Sequence, residues 1–212
     1  MVVPNGYRSC VRCISSFNFY TLMKHLLLLV VVAMFGCSAG STNSGGWSAY
    51  EDTNLDTDYK YLYRTNAYQL NGRTIRWPDK PIKIYVQNDD WKEGITRWPV
   101  SFKFVDSSPS VGVTVQYGDT IGVCGSAEWN FNDTGELQTC KVMISTMHDV
   151  MHCYSEQFTV THEIGHCLGH FEHSDNGSIM DRSSASTRIE PLQRFFNILY
   201  GSPPGTDING LL

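Results

Sequence analysis

Residues 162–181, "HEIGHCLGHFEHSDNGSIMD", together with His152 just upstream, hold five of the chain's seven histidines. His162 and His166 stand four apart. On an α-helix, which turns about 100° and rises about 1.5 Å per residue, that spacing points both imidazoles from one face, about 6 Å apart along the axis, where they can share one ion. Glu163 follows the first histidine and is placed to reach a metal-associated water without being a ligand, so H-E-x-x-H is a zinc and general-base arrangement. A catalytic zinc takes three protein ligands and keeps a fourth position open. The candidates for the third are His170, Glu172 and His173. Ligands at 162, 166 and 170 on one straight helix would spread over about 12 Å, whereas zinc–nitrogen bonds are about 2.0–2.1 Å. Gly169 offers a residue able to adopt positive φ, end the helix and turn the chain back. The third ligand is therefore expected beyond it, at Glu172 or His173, and His170 is read as a solvated residue at the helix end.

His162, Glu163, His166 and Gly169 resemble the first part of the metzincin signature H-E-x-x-H-x-x-G-x-x-H. The signature's last histidine position falls on Glu172, and a histidine comes one residue later. Downstream, "HSDNGSIM" resembles the matrixin-type segment that runs from the third histidine to the methionine of the Met-turn, with His173 and Met180 in the matching places. The resemblance is specific over residues 162–181 and extends loosely from Trp77 to the end. It implies a zinc endopeptidase with His162, His166 and His173 as ligands, Glu163 as general base, Met180 as the floor beneath the metal, and one extra residue in the loop after Gly169. Turn hydrogen bonding is the expectation for Ser178 and Asp181. The family often carries structural zinc or calcium. The Asp and His arrangement that would bind them is not recognisable here, and "HDVMH", with His148 and His152, lacks an acid in Glu163's place and a third ligand. One catalytic Zn2+ is expected. The rival function is a catalytically silent zinc-binding surface lipoprotein acting as a binding module.

These side chains need a rigid frame, and the composition supplies one: 42% hydrophobic and 12% aromatic residues suit a globular α+β domain. "PIKIYVQN", "SFKFVD", "GVTVQYG", "TIGVCGSAEW" and "CKVMIST" read as strands. "SEQFTVTHEIGHCLG" is the helix carrying the histidines, with Phe158, Ile164 and Leu168 available for packing. "RIEPLQRFFNILYG" is a final amphipathic helix with Ile189, Leu192, Phe196 and Leu199 on one face. A twisted mixed sheet, metal helix, Met-turn and last helix is the order that the metzincin-like catalytic domain implies. Strand 140–146 is expected at the sheet's edge, where an extended protein or peptide substrate adds by backbone pairing.

Ahead of the domain, "MKHLLLLVVVAMFGC" has a basic start, nine apolar residues and a cysteine, the form of an export leader. Nine apolar residues are too few to span a bilayer, which takes about 20. "MFGC" resembles a bacterial lipobox, so Cys37 is the expected lipidation site. The chain is then expected to divide into a mis-called extension (1–22), a signal peptide (23–36), a Gly/Ser-rich tether (37–48), an N-terminal extension (49–76) and the peptidase domain (77–212). Removing the leader takes away Arg8, Arg12 and Lys24 and no acid, leaving 13 basic residues against 21 acidic. Nucleic acid and anionic lipid are unfavourable partners for such a surface. Membrane contact is expected through the lipid anchor alone, facing periplasm or cell surface, with the domain a monomer. Cys124, Cys140, Cys153 and Cys167 remain in the domain, an even number that suits disulfides in an exported protein. Four cysteines permit three pairings; because "NFNDTG" between Cys124 and Cys140 reads as a hairpin turn, 124–140 with 153–167 is the favoured one.

Overall fold

The computed structural model describes residues 55–78, 81–148, 150–151, 153–182 and 185–212. Helix α1 (Leu55–Thr65) comes first, followed by a 3-10 turn at Ala67–Leu70. The sheet is built from β1 (Ile82–Val86), β2 (Phe102–Phe104), β3 (Gly112–Gly118), β4 (Gly125–Phe131) and β5 (Leu137–Ser145), with the short helix α2 (Lys92–Thr96) between β1 and β2. Helix α3 (Glu156–Cys167) carries the histidines, and α4 (Gln193–Gly201) is the last helix. All five strands foreseen from the alternation form, as do both later helices.

The strand order is β2-β1-β3-β5-β4, parallel throughout except for β4, which runs antiparallel to β5. This corrects the expected edge. β5 is bonded on one side to β3 and on the other to β4, so its backbone groups are used and residues 140–146 cannot take a further strand. The hairpin places β4 outermost, so the sheet's two edges are β4 and, at the far side, β2, and the outer N–H and C=O row of β4 is not used in the ladder.

Alternation along β5 sends Cys140, Val142 and Ile144 to the buried face, where they join Val160, Ile164 and Cys167 of α3 and its cap residue Leu168 in one core cluster. The N-terminal segment enters the same cluster through Tyr61, Leu62, Ala67 and Ile75. Helix α4 adds Phe195, Phe196 and Leu199, with Ile189 and Leu192 just before it, as its amphipathic pattern requires. Asp58 of α1 and Arg194 of α4 form an ion pair between the two helices.

The disulfides are Cys124–Cys153 and Cys140–Cys167, not the expected pairs. Register is the reason. In the β4–β5 hairpin the residue opposite Cys140 is Trp129, five positions beyond Cys124. At about 3.4 Å per residue Cys124 then lies roughly 17 Å further along the strand, well past the reach of about 7 Å between Cα atoms. Cys140 instead points at the C-terminal turn of α3, where Cys167 lies 5.5 Å away between Cα atoms. Cys124 meets Cys153 in the loop ahead of α3 at 5.7 Å. Both bonds are consistent with an oxidising compartment. Among the described residues, no helix is long and apolar enough to cross a membrane. Cys37 and the leader lie outside the described residues.

Candidate metal centre

Helix α3 begins at an N-cap, Ser155, whose Oγ accepts from the Phe158 N–H. Its buried stripe of Val160, Ile164 and Leu168 fixes the rotation of the helix, and that sets the opposite histidine pair. The helix ends as its glycine requires. Gly169 has φ 103°, its N–H donates to the His166 carbonyl and the His170 N–H donates to the Gly165 carbonyl, the double closure of a Schellman motif. The chain turns back and brings His173 over the helix.

His162, His166 and His173 each offer a ring nitrogen, and the three nitrogens lie within 4.8 Å of one another. The Nε2 atoms of His162 and His173 are 3.2 Å apart. Two backbone carbonyls orient the helix pair: His162 Nδ1 donates to the Ile179 carbonyl at 2.6 Å, and His166 Nδ1 donates to the His170 carbonyl at 2.7 Å. A proton held on Nδ1 leaves the Nε2 lone pair free to ligate. His166 Nε2 is buried and has no hydrogen-bond partner among the described residues. Burial holds His162 below and His166 well below the ordinary imidazole range, and burial, with His162 and Arg182 nearby, pushes His173 down to about 4. Neutral imidazole, the ligating form, is therefore favoured at neutral pH.

Glu163 is buried beside this cluster, and burial pushes its carboxyl up to about 8. One carboxyl oxygen, Oε2, has no hydrogen-bond partner among the described residues. The edge strand comes close here: a Cβ on Gly125 of β4 would stand 2.6 Å from Thr159 Cγ2 and 3.0 Å from Glu163 Cγ. Only a glycine lets β4 approach the helix at that point.

Met180 is fully buried beneath α3, its Sδ set where any Cβ on Gly165 would collide at 2.3 Å. Its turn is tied by Ser178 Oγ accepting from the Met180 N–H, by Asp181 accepting from the Gly177 N–H, and by the Ser174 N–H donating to the Met180 carbonyl. The same turn presents the Ile179 carbonyl to His162. Ser178 and Asp181 thus do the turn bonding expected of them.

Three expectations need correction or completion. His170 is not solvated: it is fully buried, with Nε2 hydrogen-bonded to the Tyr61 hydroxyl at 2.6 Å and its ring against Phe195. The Schellman turn folds the chain back under α1, so the residue after Gly169 goes inward. Glu172 is outside the histidine cluster and accepts from the Tyr68 hydroxyl at 2.6 Å. His148 is buried, with Nε2 3.1 Å from Thr159 Oγ1, while His152 lies outside the described residues. Trp129 of β4 was not foreseen. Its indole lies over His166 with ring centroids 6.2 Å apart and stacks on Phe171 at 4.7 Å. A cavity of about 520 Å³ opens beside His173, lined by Tyr63, Arg64, Tyr68, Glu172, Asp175 and Arg182.

Taken together, the His162–His166–His173 cluster can hold a metal ion, with a buried carboxyl group beside it and an exposed strand edge nearby. No protein-family model and no curated protein matches the chain.

Proposed function

We propose that the chain is a zinc-dependent endopeptidase of the metzincin type, matrixin-like, with His162, His166 and His173 as ligands, Glu163 as general base and Met180 as the Met-turn methionine. The observation that carries this reading is the convergence of three imidazoles beside one buried carboxyl group. Three nitrogen donors and no thiolate suit zinc among the divalent ions. Two nitrogens on one tetrahedral zinc, at bonds of about 2.0–2.1 Å, stand about 3.3 Å apart, close to the 3.2 Å between His162 and His173.

Zinc at such a site supplies Lewis acidity and brings the acidity of water toward neutral pH. The protein's own part is positioning and proton transfer. Without a cation the Glu163 carboxyl sits at about 8, and a nearby cation favours its ionised form. As a carboxylate it takes a proton from the attacking water and passes it to the leaving amine. The outer edge of β4 offers backbone donors and acceptors to an extended peptide, a mode that reads main chain more than side chains. The cavity beside His173 gives one substrate side chain a place to sit. Export with a lipid anchor on Cys37 completes the proposal, and the two disulfides fit it.

The test is Glu163→Gln with zinc content and hydrolysis of an unstructured protein measured on the same samples. Full zinc occupancy with turnover reduced by several orders of magnitude is expected. Turnover near the wild-type level removes the general-base assignment, and a zinc-loaded wild type that cleaves nothing leaves the binding-module reading in its place.

A further inference from the structure

The loop that turns the chain from α3 to His173 is held, residue after residue, by one segment far away in sequence. Asn66 Nδ2 donates to the Gly169 carbonyl at 2.7 Å. The Tyr61 hydroxyl is bonded to the His170 ring at 2.6 Å. The Phe171 N–H donates to the Thr65 carbonyl at 2.9 Å. The Tyr68 hydroxyl donates to Glu172 Oε1 at 2.6 Å. Four successive residues are thus fastened before the chain reaches His173.

The holding side is itself rigid. Asn66 is fully buried and uses both ends of its amide, donating to the Ile75 carbonyl at 2.7 Å and accepting from the Ile75 N–H at 2.8 Å. Thr65 is also fully buried, and its Oγ1 donates to the Tyr61 carbonyl. Surface anchoring would not need such a network, because unpaired groups there would find water. The loop's own bonds lead to the cluster: the carbonyl that orients His166 belongs to His170, and His173 follows directly on Glu172.

We propose that residues 61–68 are a positioning element for the metal centre, holding loop 169–172 so that His166 and His173 meet the ion in register with His162. Tyr61, Asn66 and Tyr68 are its positioning residues. The inference rests on reading the three-histidine cluster as a metal site, and it does not depend on peptide hydrolysis. It also accounts for the surplus histidine. His170 is the loop's inward anchor, through which α1 grips the residue whose carbonyl orients His166. Coupling between two binding events is reciprocal, so metal binding tightens the contact of residues 61–68 with the loop by as much as that contact tightens metal binding.

The test uses the mature chain and zinc or Co2+ alone. Tyr61→Phe and Tyr68→Phe keep the rings and remove only the hydroxyls. The double variant should bind zinc about 10–100-fold more weakly, the range typical when a group supporting a ligand is lost. Its Co2+ ligand-field spectrum should shift away from that of the wild type. Ile82→Val, a buried change in β1, serves as the control for general loss of stability and should leave the spectrum and affinity unchanged. Wild-type zinc affinity and spectrum in the double variant overturn the proposal, even if its melting temperature falls. A second measurement needs no variant: zinc added to wild type should slow hydrogen exchange at the Phe171 amide and across residues 61–70. Bound zinc without that protection overturns the proposal, as does a wild-type chain that binds no zinc. A wild type that binds zinc with the expected protection and cleaves nothing sinks only the peptidase reading.

Discussion

His173 and Glu172 are neighbours with different environments, and that difference separates their roles. His173 brings its Nε2 within 3.2 Å of His162, whereas Glu172 turns its carboxylate to Tyr68. His173→Ala should therefore strip zinc from a protein that remains folded, measured as metal stoichiometry after dialysis, while Glu172→Ala retains it with affinity lowered by at most about 100-fold. Zinc lost on Glu172→Ala and kept on His173→Ala would reverse the ligand assignment. His170→Ala should do something else: it empties a fully buried site and removes one hydrogen bond to the Tyr61 hydroxyl, at a cost of about 2–4 kcal/mol, most of it from the cavity. Urea unfolding of the metal-free variant reads that loss. The histidines also predict a pH dependence. Their folded values lie below the ordinary 6.5, at about 4 for His173 and about 3 for His170, so below 6.5 the unfolded chain binds protons that the folded chain refuses. The histidines' contribution to the stability of the metal-free protein should be fully present above pH 6.5 and be lost as the pH drops toward 4. The Glu163 carboxyl, raised to about 8, acts the other way, its contribution being lost as the pH rises toward 8, and below 6.5 the several lowered rings outweigh that single group. A flat urea midpoint across that window would contradict the buried, neutral state of these rings.

At the level of elements, α3 is set by a cap at one end, a Schellman turn at the other, and a disulfide on its last residue. Cys140–Cys167 links that last turn to the sheet's interior strand, next to His166. Cys124–Cys153 ties the start of β4 to the loop ahead of α3. Their sequence separations, 27 and 29 residues, imply nearly equal entropic contributions, about 3.5 kcal/mol each in the chain-entropy account. Removing either pair as a double alanine variant should lower stability by a comparable amount. Zinc affinity should respond differently. It should fall with loss of 140–167, whose cysteine adjoins a ligand, and change little with loss of 124–153. Equal effects of the two on zinc binding would show that the 140–167 bond acts on stability alone.

Across the whole molecule, the two disulfides fit a domain working outside the reducing cytosol. The leader and Cys37 lie outside the described residues, and their reading is tested directly. In a bacterial host, metabolic labelling should place fatty acid on the wild-type chain, and Cys37→Ser should abolish the label and release the protein from membranes. An unlabelled wild type would make the segment an ordinary cleaved signal and the domain a free secreted one.

What could be read along the chain was whatever depends on near neighbours. The i, i+4 histidines, the glycine that must end their helix, the alternating strands and the amphipathic last helix all express local periodicity and local backbone conformation, and each has its counterpart in the fold. Three of the features that escaped show why, because each depends on residues brought together from far apart. Which strand is the edge follows from the pairing of β3 with β5 across intervening chain, so residues 140–146 read as an edge and lie inside. Which cysteines meet follows from hairpin register, since a turn between two cysteines does not place them opposite one another. The environment of His170 follows from Tyr61, 109 residues earlier. Local spacing proposes which side chains share a face, but burial and partnership are set by packing between distant segments, and no pattern within residues 162–181 encodes the helix that closes over them.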